Sequence, residues 1–329
     1  MKEILKEKNL FEEISQIFVK HFFENIEMRK VIAKSNDASA NLLAALAEDE
    51  KNVIRLAVAE NFNTSVETLD KLADDEEINV VLAVCNNANT SSKTLAKLVE
   101  HDNCVVRQAV ASHSNADAEI LDKLADDEEL DVIEAVCNNV NTSSKTLAKL
   151  AEHDNCVVRK MVASHSNTSV ETLDRLSDDI DYDVRLAVAE SSNTSVETLD
   201  KLADDVDETV VTAVYTNANT LSKTLEKLAE HGNWEVREGV ASHDNTAPET
   251  LLKLAEDYDY DVRYAVAQNS NTPAEVLDKL AEDEDSDVRW AVVENPNTLT
   301  KTLEKLSKDE DLSVRNEARR RINMPKNHK

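Results

Sequence analysis

Glycine and proline are almost missing, with two and four copies in 329 residues. That leaves no material for flexible linkers or for the glycine-rich loops that cradle phosphates. Four cysteines are too few for a disulfide framework in a chain this long, so reduced thiols are expected. No apolar run approaches the roughly 18 residues that a membrane span needs. The N-terminus, MKEILKEKNLFEEISQIF, carries glutamates throughout and lacks a signal-peptide core. Positive charge is in deficit: 37 Lys and Arg against 66 Asp and Glu give 37 − 66 = −29. A body this acidic repels phosphate backbones, which argues against direct nucleic-acid binding and for a protein partner with a basic surface. The expectation is a soluble cytoplasmic protein with no membrane contact and no cofactor.

What the chain does have is a cadence. Asn63, Asn89, Asn115, Asn141, Asn167, Asn193, Asn219, Asn245, Asn271 and Asn297 recur every 26 residues without slippage, with Asp37 one period before and Asn323 one period after. Self-similarity on this scale signals a solenoid, in which each unit is too small to fold alone. Numbering the Asn as place one, Thr holds place two in nine of eleven units, and Leu holds places seven and ten in all eleven. Place eighteen is Val or Ile in every unit, and place twenty-two is Val except at Ala318. Spacings of three and four put each pair on one face of a short helix.

Thr at place two is expected to cap the first helix, with Glu at place five completing a capping box, as in Thr64/Glu67 and Thr168/Glu171. Pro273 suits the first helical position. The second helix is expected to start near an Asp such as Asp183, Asp261 or Asp287. The anchor Asn reads as a turn residue that bonds backbone groups and tolerates left-handed torsions. Arg recurs at place nineteen in Arg55, Arg107, Arg159, Arg185, Arg237, Arg263, Arg289 and Arg315, where a ladder to carboxylates of adjacent units is expected. Val81, Ile133 and Val211 replace it in three units.

Motifs such as Asn271-Thr-Pro-Ala-Glu-Val-Leu-Asp-Lys-Leu-Ala followed by Asp287-Val-Arg-Trp-Ala-Val resemble the leucine-rich repeat variant family, over about residues 37–322. The resemblance implies an all-α fold: a right-handed superhelix of two short helices per unit, one α and one often 3₁₀, without strands. HEAT-type repeats share Asp-Val-Arg but run to about 40–47 residues. The family offers no catalytic residues to carry over. Its founding example has an N-terminal iron–sulfur segment; here no cysteine precedes Cys85, and no cluster is inferred.

Three segments follow from this reading: residues 1–36 as a helical cap with half a repeat, 37–322 as the solenoid, and 323–329 as a basic tail. The cap stretch carries Leu5, Leu10, Phe11, Ile14, Ile17, Phe18, Phe22 and Phe23. It is expected to cover the first layer or to make a dimer, so the chain is a monomer or a dimer through this cap.

Chemistry has few footholds. His101, His153 and His231 sit at place thirteen and His113, His165 and His243 at place twenty-five, all in the three units that follow one lacking the ladder Arg. Residues 89–114 and 141–166 differ at three positions, which points to recent duplication. Cys85 and Cys104, and Cys137 and Cys156, travel with these units, and a metal site is the rival to plain packing. No nucleophile elbow or His-Glu-x-x-His motif is present, so no enzyme is expected. Two surfaces stand out instead. Acidic corners that include Asp75, Asp127, Asp179, Asp205, Asp257 and Asp283 are expected to stack into an electrostatic stripe. All Tyr and Trp lie between residues 182 and 290, and Tyr182, Trp234, Tyr260, Tyr264 and Trp290 are the candidate partner contact. A protein-binding scaffold is the favoured function, with an acidic inhibitor that mimics nucleic acid as the alternative and a metal-binding protein as a third.

Overall fold

Helices of two turns are unstable alone in water, where about 12–15 residues is the usual minimum, so each repeat has to gain its stability from its neighbours. The computed structural model describes residues 24–323. Among the described residues there are 23 α-helices and no strand. First helices of seven residues, such as Val66–Leu72 and Val196–Leu202, alternate with second helices of nine, such as Ile78–Asn86 and Glu208–Thr216. Both members are α-helical, so the 3₁₀ partner implied by the family resemblance does not occur among the described residues. The chain divides into two compact units, Met1–Leu150 and Ala151–Lys329. In the first, Asn52–Glu60 packs on Ile78–Asn86; in the second, Trp234–Ser242 packs on Tyr260–Gln268. The fold is an α-solenoid.

The 26-residue cadence places the core. Leu69, Leu95, Leu199 and Leu225 at place seven and Val58, Val84, Val188 and Val214 at place twenty-two are all fully buried. Burying each such side chain contributes about 1.5–3 kcal/mol, and the sum over tiers offsets the marginal stability of each helix.

The helix starts differ from the expected ones. Place two does not cap the first helix. Thr64 is buried, and its Oγ1 donates to the Val58 carbonyl at 2.6 Å, as Thr90 does to Val84 and Thr220 to Val214. The cap is place three: Ser65 Oγ accepts the Thr68 amide, and Ser91 Oγ accepts the Thr94 amide. The capping boxes expected at Thr64/Glu67 and Thr168/Glu171 are therefore Ser65 with Thr68 and Ser169 with Thr172. Pro273 is itself the cap residue, one place before the helix, while Pro248 takes the first turn of its own. Second helices are capped two residues earlier than expected: Asp181, Asp259 and Asp285 accept the amides of Asp183, Asp261 and Asp287. The latter three remain in the first turn, where a carboxylate suits the positive helix end.

The half repeat is present as Ile26–Ala33, tied to the next layer by Arg29 and Asp49. The apolar cap residues from Leu5 to Phe23 lie outside the described residues. At the other end Arg319 donates to the Ser307 carbonyl at 3.0 Å and Arg321 to the Asn295 carbonyl at 2.8 Å. The residues beyond Asn323 are likewise not described.

Candidate functional site

Repeating residues first have to hold the layers, and only what is left over can serve a partner. Three polar ladders do the holding. In the first, Arg at place nineteen meets Asp at place thirteen of the next layer through two parallel bonds, for example Arg55 Nε to Asp75 Oδ2 at 2.6 Å and Nη2 to Oδ1 at 2.9 Å. The same fork joins Arg107 to Asp127, Arg159 to Asp179, Arg185 to Asp205, Arg237 to Asp257, Arg263 to Asp283 and Arg289 to Asp309. The third Arg nitrogen reaches a carbonyl of its own layer, as Arg55 Nη1 does to Asp49 O at 2.9 Å. The Asp then accepts the amide two residues on, as Asp75 does from Glu77. Asp127 is held below the ordinary carboxylate range by Arg107, against the opposing effect of burial. For Asp205 burial pushes upward, but bonds from Arg185 and the Asp207 amide outweigh it, and the net direction is down.

This changes the acidic stripe. Asp75, Asp127, Asp179, Asp205, Asp257 and Asp283 are not an open rim, because each is neutralised by its Arg and only 5–8% of each side chain is exposed. Adjacent residues on a tight corner face opposite ways, so charge that looks contiguous in sequence is divided between inside and outside. The open charge lies beside it. Glu100 and Asp204 at place twelve bond Lys123 and Lys227 from the next layer, each at 2.5 Å. Glu284 and Glu310 at place fourteen are about nine-tenths exposed.

The second ladder is the anchor Asn. Asn63 Nδ2 donates to Asn36 O at 2.7 Å, and Asn297 Nδ2 donates to Ser270 O at 2.6 Å. Its role is to bridge layers, and no non-glycine residue among those described has positive φ, so the left-handed torsions allowed for it are not used. The third ladder lies at place twenty-five and escaped sequence reasoning. Asn87 is buried, donates to Ala59 O and Asn61 O of the preceding layer, and accepts the Asn89 amide. His113 does the same work with a ring: Nδ1 accepts the Asn115 amide, and Nε2 lies 3.0 Å from Asn87 O. Asn, His and Arg321 all serve at this place, so residue identity hid the shared task.

The aromatics belong to no ladder. Tyr182, Trp234 and Tyr260 are the first residues of their helices, and Tyr264 and Trp290 lie one turn further along theirs. Trp234–Ser242, Tyr260–Gln268 and Ser286–Glu294 pack in succession, with Trp234 and Tyr260 both at place sixteen and Tyr264 and Trp290 both at place twenty. Tyr182 stands apart, separated from Trp234 by the Glu208–Thr216 layer. Tyr182 and Tyr260 are about half exposed and Trp234 and Trp290 about a third. The Tyr264 hydroxyl accepts from Gln268 at 2.7 Å. Each of Tyr182, Trp234 and Tyr260 is followed by an acid: Asp183, Glu235 and Asp261. From Glu208 to Glu294 the second helices carry only three cations, Arg237, Arg263 and Arg289, all buried in the first ladder.

Two further aromatics were missed. Tyr258 is 78% exposed at a corner, with the Arg237 guanidinium 4.8 Å from its ring centre. Tyr215 takes place twenty-three, where most units have Ala or Cys, and Gly239 takes place twenty-one, where most have Ala. A Cβ on Gly239 would collide with the Tyr215 ring, so the glycine is what lets the ring lie there. Beside them opens a groove of about 510 Å³ lined by Glu208, Thr212, Tyr215, Trp234, Glu235 and Glu238.

Residues 260–285 match the sequence model of the family described as "Leucine rich repeat variant". The matched segment is 26 residues long, one period of the array. A solved structure described as a leucine-rich repeat variant with a novel repetitive structural motif is 24% identical, with a TM-score of 0.52, over 67% of this chain and 87% of that one. At that identity the likeness is one of fold. An engineered protein matches at 19% identity over 89% of this chain and 93% of its own, with a TM-score of 0.26, too low to carry an argument. No curated protein matches.

Within the repeats the thiols divide by depth. Cys85 and Cys137 are buried, and burial pushes both thiols up to about 12. Cys104 and Cys156 are half-buried at the starts of their helices. His101, His153 and His231 each accept the amide two residues on through Nδ1. Among the described residues no three His, Cys, Asp or Glu side chains converge as a metal site, and no helix is long and apolar enough to cross a membrane.

Proposed function

We propose that this chain is a non-enzymatic scaffold that binds a protein partner with a basic surface. The observation that carries the reading is the set of rings at Trp234, Tyr260, Tyr264 and Trp290 on successive second helices, set among carboxylates, with the three arginines of those helices buried in ion pairs. Tyr and Trp dominate binding hot spots because they offer large area at low entropic cost. Carboxylates around them orient a cationic partner and speed its arrival. The partner, the cytoplasmic location and the absence of a cofactor all belong to this proposal, as does the choice between monomer and dimer.

The test is a pull-down from the native host with Tyr260, Tyr264 and Trp290 replaced by Ala. Partner recovery is expected to fall by about tenfold or more, as loss of central aromatic anchors does elsewhere. Unchanged recovery with unchanged helical content removes the aromatic face from the argument. A nucleic-acid mimic draws less support, because six of its carboxylates are already occupied by arginine. Its signature is displacement of the partner by duplex DNA together with a steep fall in binding as salt rises.

A further inference from the structure

The groove between the Glu208–Thr216 and Trp234–Ser242 helices differs from its counterparts elsewhere in the array. The equivalent hollow beside Leu56, Leu82 and Ala83 has aliphatic and amide walls, one carboxylate, Glu60, and no ring. Here two exceptional residues occur together: Tyr215 in place of a small side chain, and Gly239 in place of alanine on the facing helix, removing the Cβ that would collide with the ring. The pair gives the groove one aromatic wall, and Trp234 gives it a second. Three carboxylates, Glu208, Glu235 and Glu238, share the remaining lining with Thr209, Thr212, Asn233 and Val236. Asn233 Nδ2 links Glu208 at 3.0 Å and Glu235 at 3.4 Å, holding both carboxylates at the rim. Glu238 is half-buried on the same helix as Trp234, and among the described residues it makes no salt bridge. Burial, then Asp261, Glu235 and Asp259, push its carboxyl upward, so a cation from outside would relieve the repulsion.

We infer that this groove is a seat for an arginine side chain of the partner, with the guanidinium over Trp234 and Tyr215 and bonded to Glu235 and Glu238. The assignment rests on the scaffold reading above and names the chemistry it recognises. Arginine fits better than lysine because a planar guanidinium stacks on a ring and donates to a carboxylate through two parallel bonds, which a single ammonium cannot. Nothing cationic lines the groove to compete for these carboxylates.

The experiment uses the full chain carrying W290F, which leaves Trp234 as the sole tryptophan. The probe is an acetylated, amidated octapeptide of alternating glycine and arginine. A saturable change in Trp234 fluorescence is expected, weakened about tenfold or more when Glu235 and Glu238 are both changed to Gln. The citrulline peptide should fail to bind, and the lysine peptide should bind more weakly. Equal binding of the citrulline peptide, tighter binding of the lysine peptide, or no effect of E235Q/E238Q overturns the assignment. Y215A supplies a second arm that leaves Glu238 and its helix unchanged: it removes a ring without adding bulk against Gly239, and it too should weaken the peptide. Failure of this proposal is separable from failure of the scaffold reading. Partner capture that depends on Tyr260, Tyr264 and Trp290 but ignores E235Q/E238Q sinks the arginine seat alone.

Discussion

Two kinds of joint hold neighbouring layers together, and setting them side by side shows which part is obligatory. In the Arg185 to Asp205 joint, a guanidinium and a carboxylate are buried face to face, and the carboxylate also accepts the Asp207 amide. In the layer that follows, Val211 replaces the arginine and His231 replaces the aspartate. Val211 is buried and His231 Nδ1 accepts the Asn233 amide at 3.2 Å. In the other unit Val81 and His101 repeat the exchange, with Nδ1 accepting the Asn103 amide at 3.0 Å. Both joints hold the amide of the residue that caps the second helix, Asp207 or Asn233; only one carries charge. When the charge goes, both partners go together, because a buried carboxylate left without its cation is costly. The ion pair is an addition to the joint, and the acceptor at place thirteen is its constant.

That contrast can be broken most severely at one arginine. Arg237→Leu leaves Asp257 buried without its counter-charge and should destabilise the second unit by about 3–5 kcal/mol in denaturant unfolding. The loss should shrink in acid. With Arg237 present, Asp257 feels burial pushing upward, but bonds from Arg237 and the Asp259 amide hold it net below the ordinary range. A carboxylate whose folded value is depressed stabilises the fold fully above its unfolded value, near 3.9, and loses that contribution as pH falls from there through the folded value. The gap between native protein and Arg237→Leu should therefore narrow below about pH 4. A gap that stays constant to pH 3 contradicts the joint as described.

Place twenty-five tests the same logic without charge. Asn87→Ala removes the side-chain donor to the Ala59 carbonyl and one of two donors to the Asn61 carbonyl, which keeps the Thr64 amide, and should cost about 1–3 kcal/mol. Asn87→His should cost less, since His113 already does this work one layer on. The contrast is sharpened by building one joint in the place of the other. Val211→Arg and His231→Asp should each destabilise alone, while together they should recover, with a coupling of about 1–3 kcal/mol in a double-mutant cycle. Strict additivity would mean that the two positions do not form one joint.

Much of this was legible from residues alone. The cadence located the Leu and Val tiers because packing tolerates little change in volume, so the same residue returns at the same place. The arginine ladder was legible for a similar reason, since few side chains can replace a planar two-pronged donor. Other parts were hidden by adjacency. Thr64 and Ser65 are both good caps by chemistry, and only the fold at the corner decides that the threonine turns back to Val58 while the serine caps. Asp74 and Asp75 look like one acidic patch until the corner sends Asp75 inward to Arg55 and leaves Asp74 outside. Place twenty-five was hidden by variety: asparagine, histidine and arginine share a task that no single residue type announces. The groove could have been suspected from its two exceptions, Tyr215 and Gly239, but sequence alone did not place the two side by side.

The asparagine bridges run one way. In every case described, the amide nitrogen of a later residue reaches a carbonyl made about 25 to 28 residues earlier, as from Asn61 to Ala33 and from Asn245 to Thr220. A nascent chain leaving the ribosome thus brings each new tier its own fasteners, and the acceptors are already waiting on the tier before. Assembly can follow the order of synthesis, with no tier obliged to wait for one not yet translated before its backward bonds close.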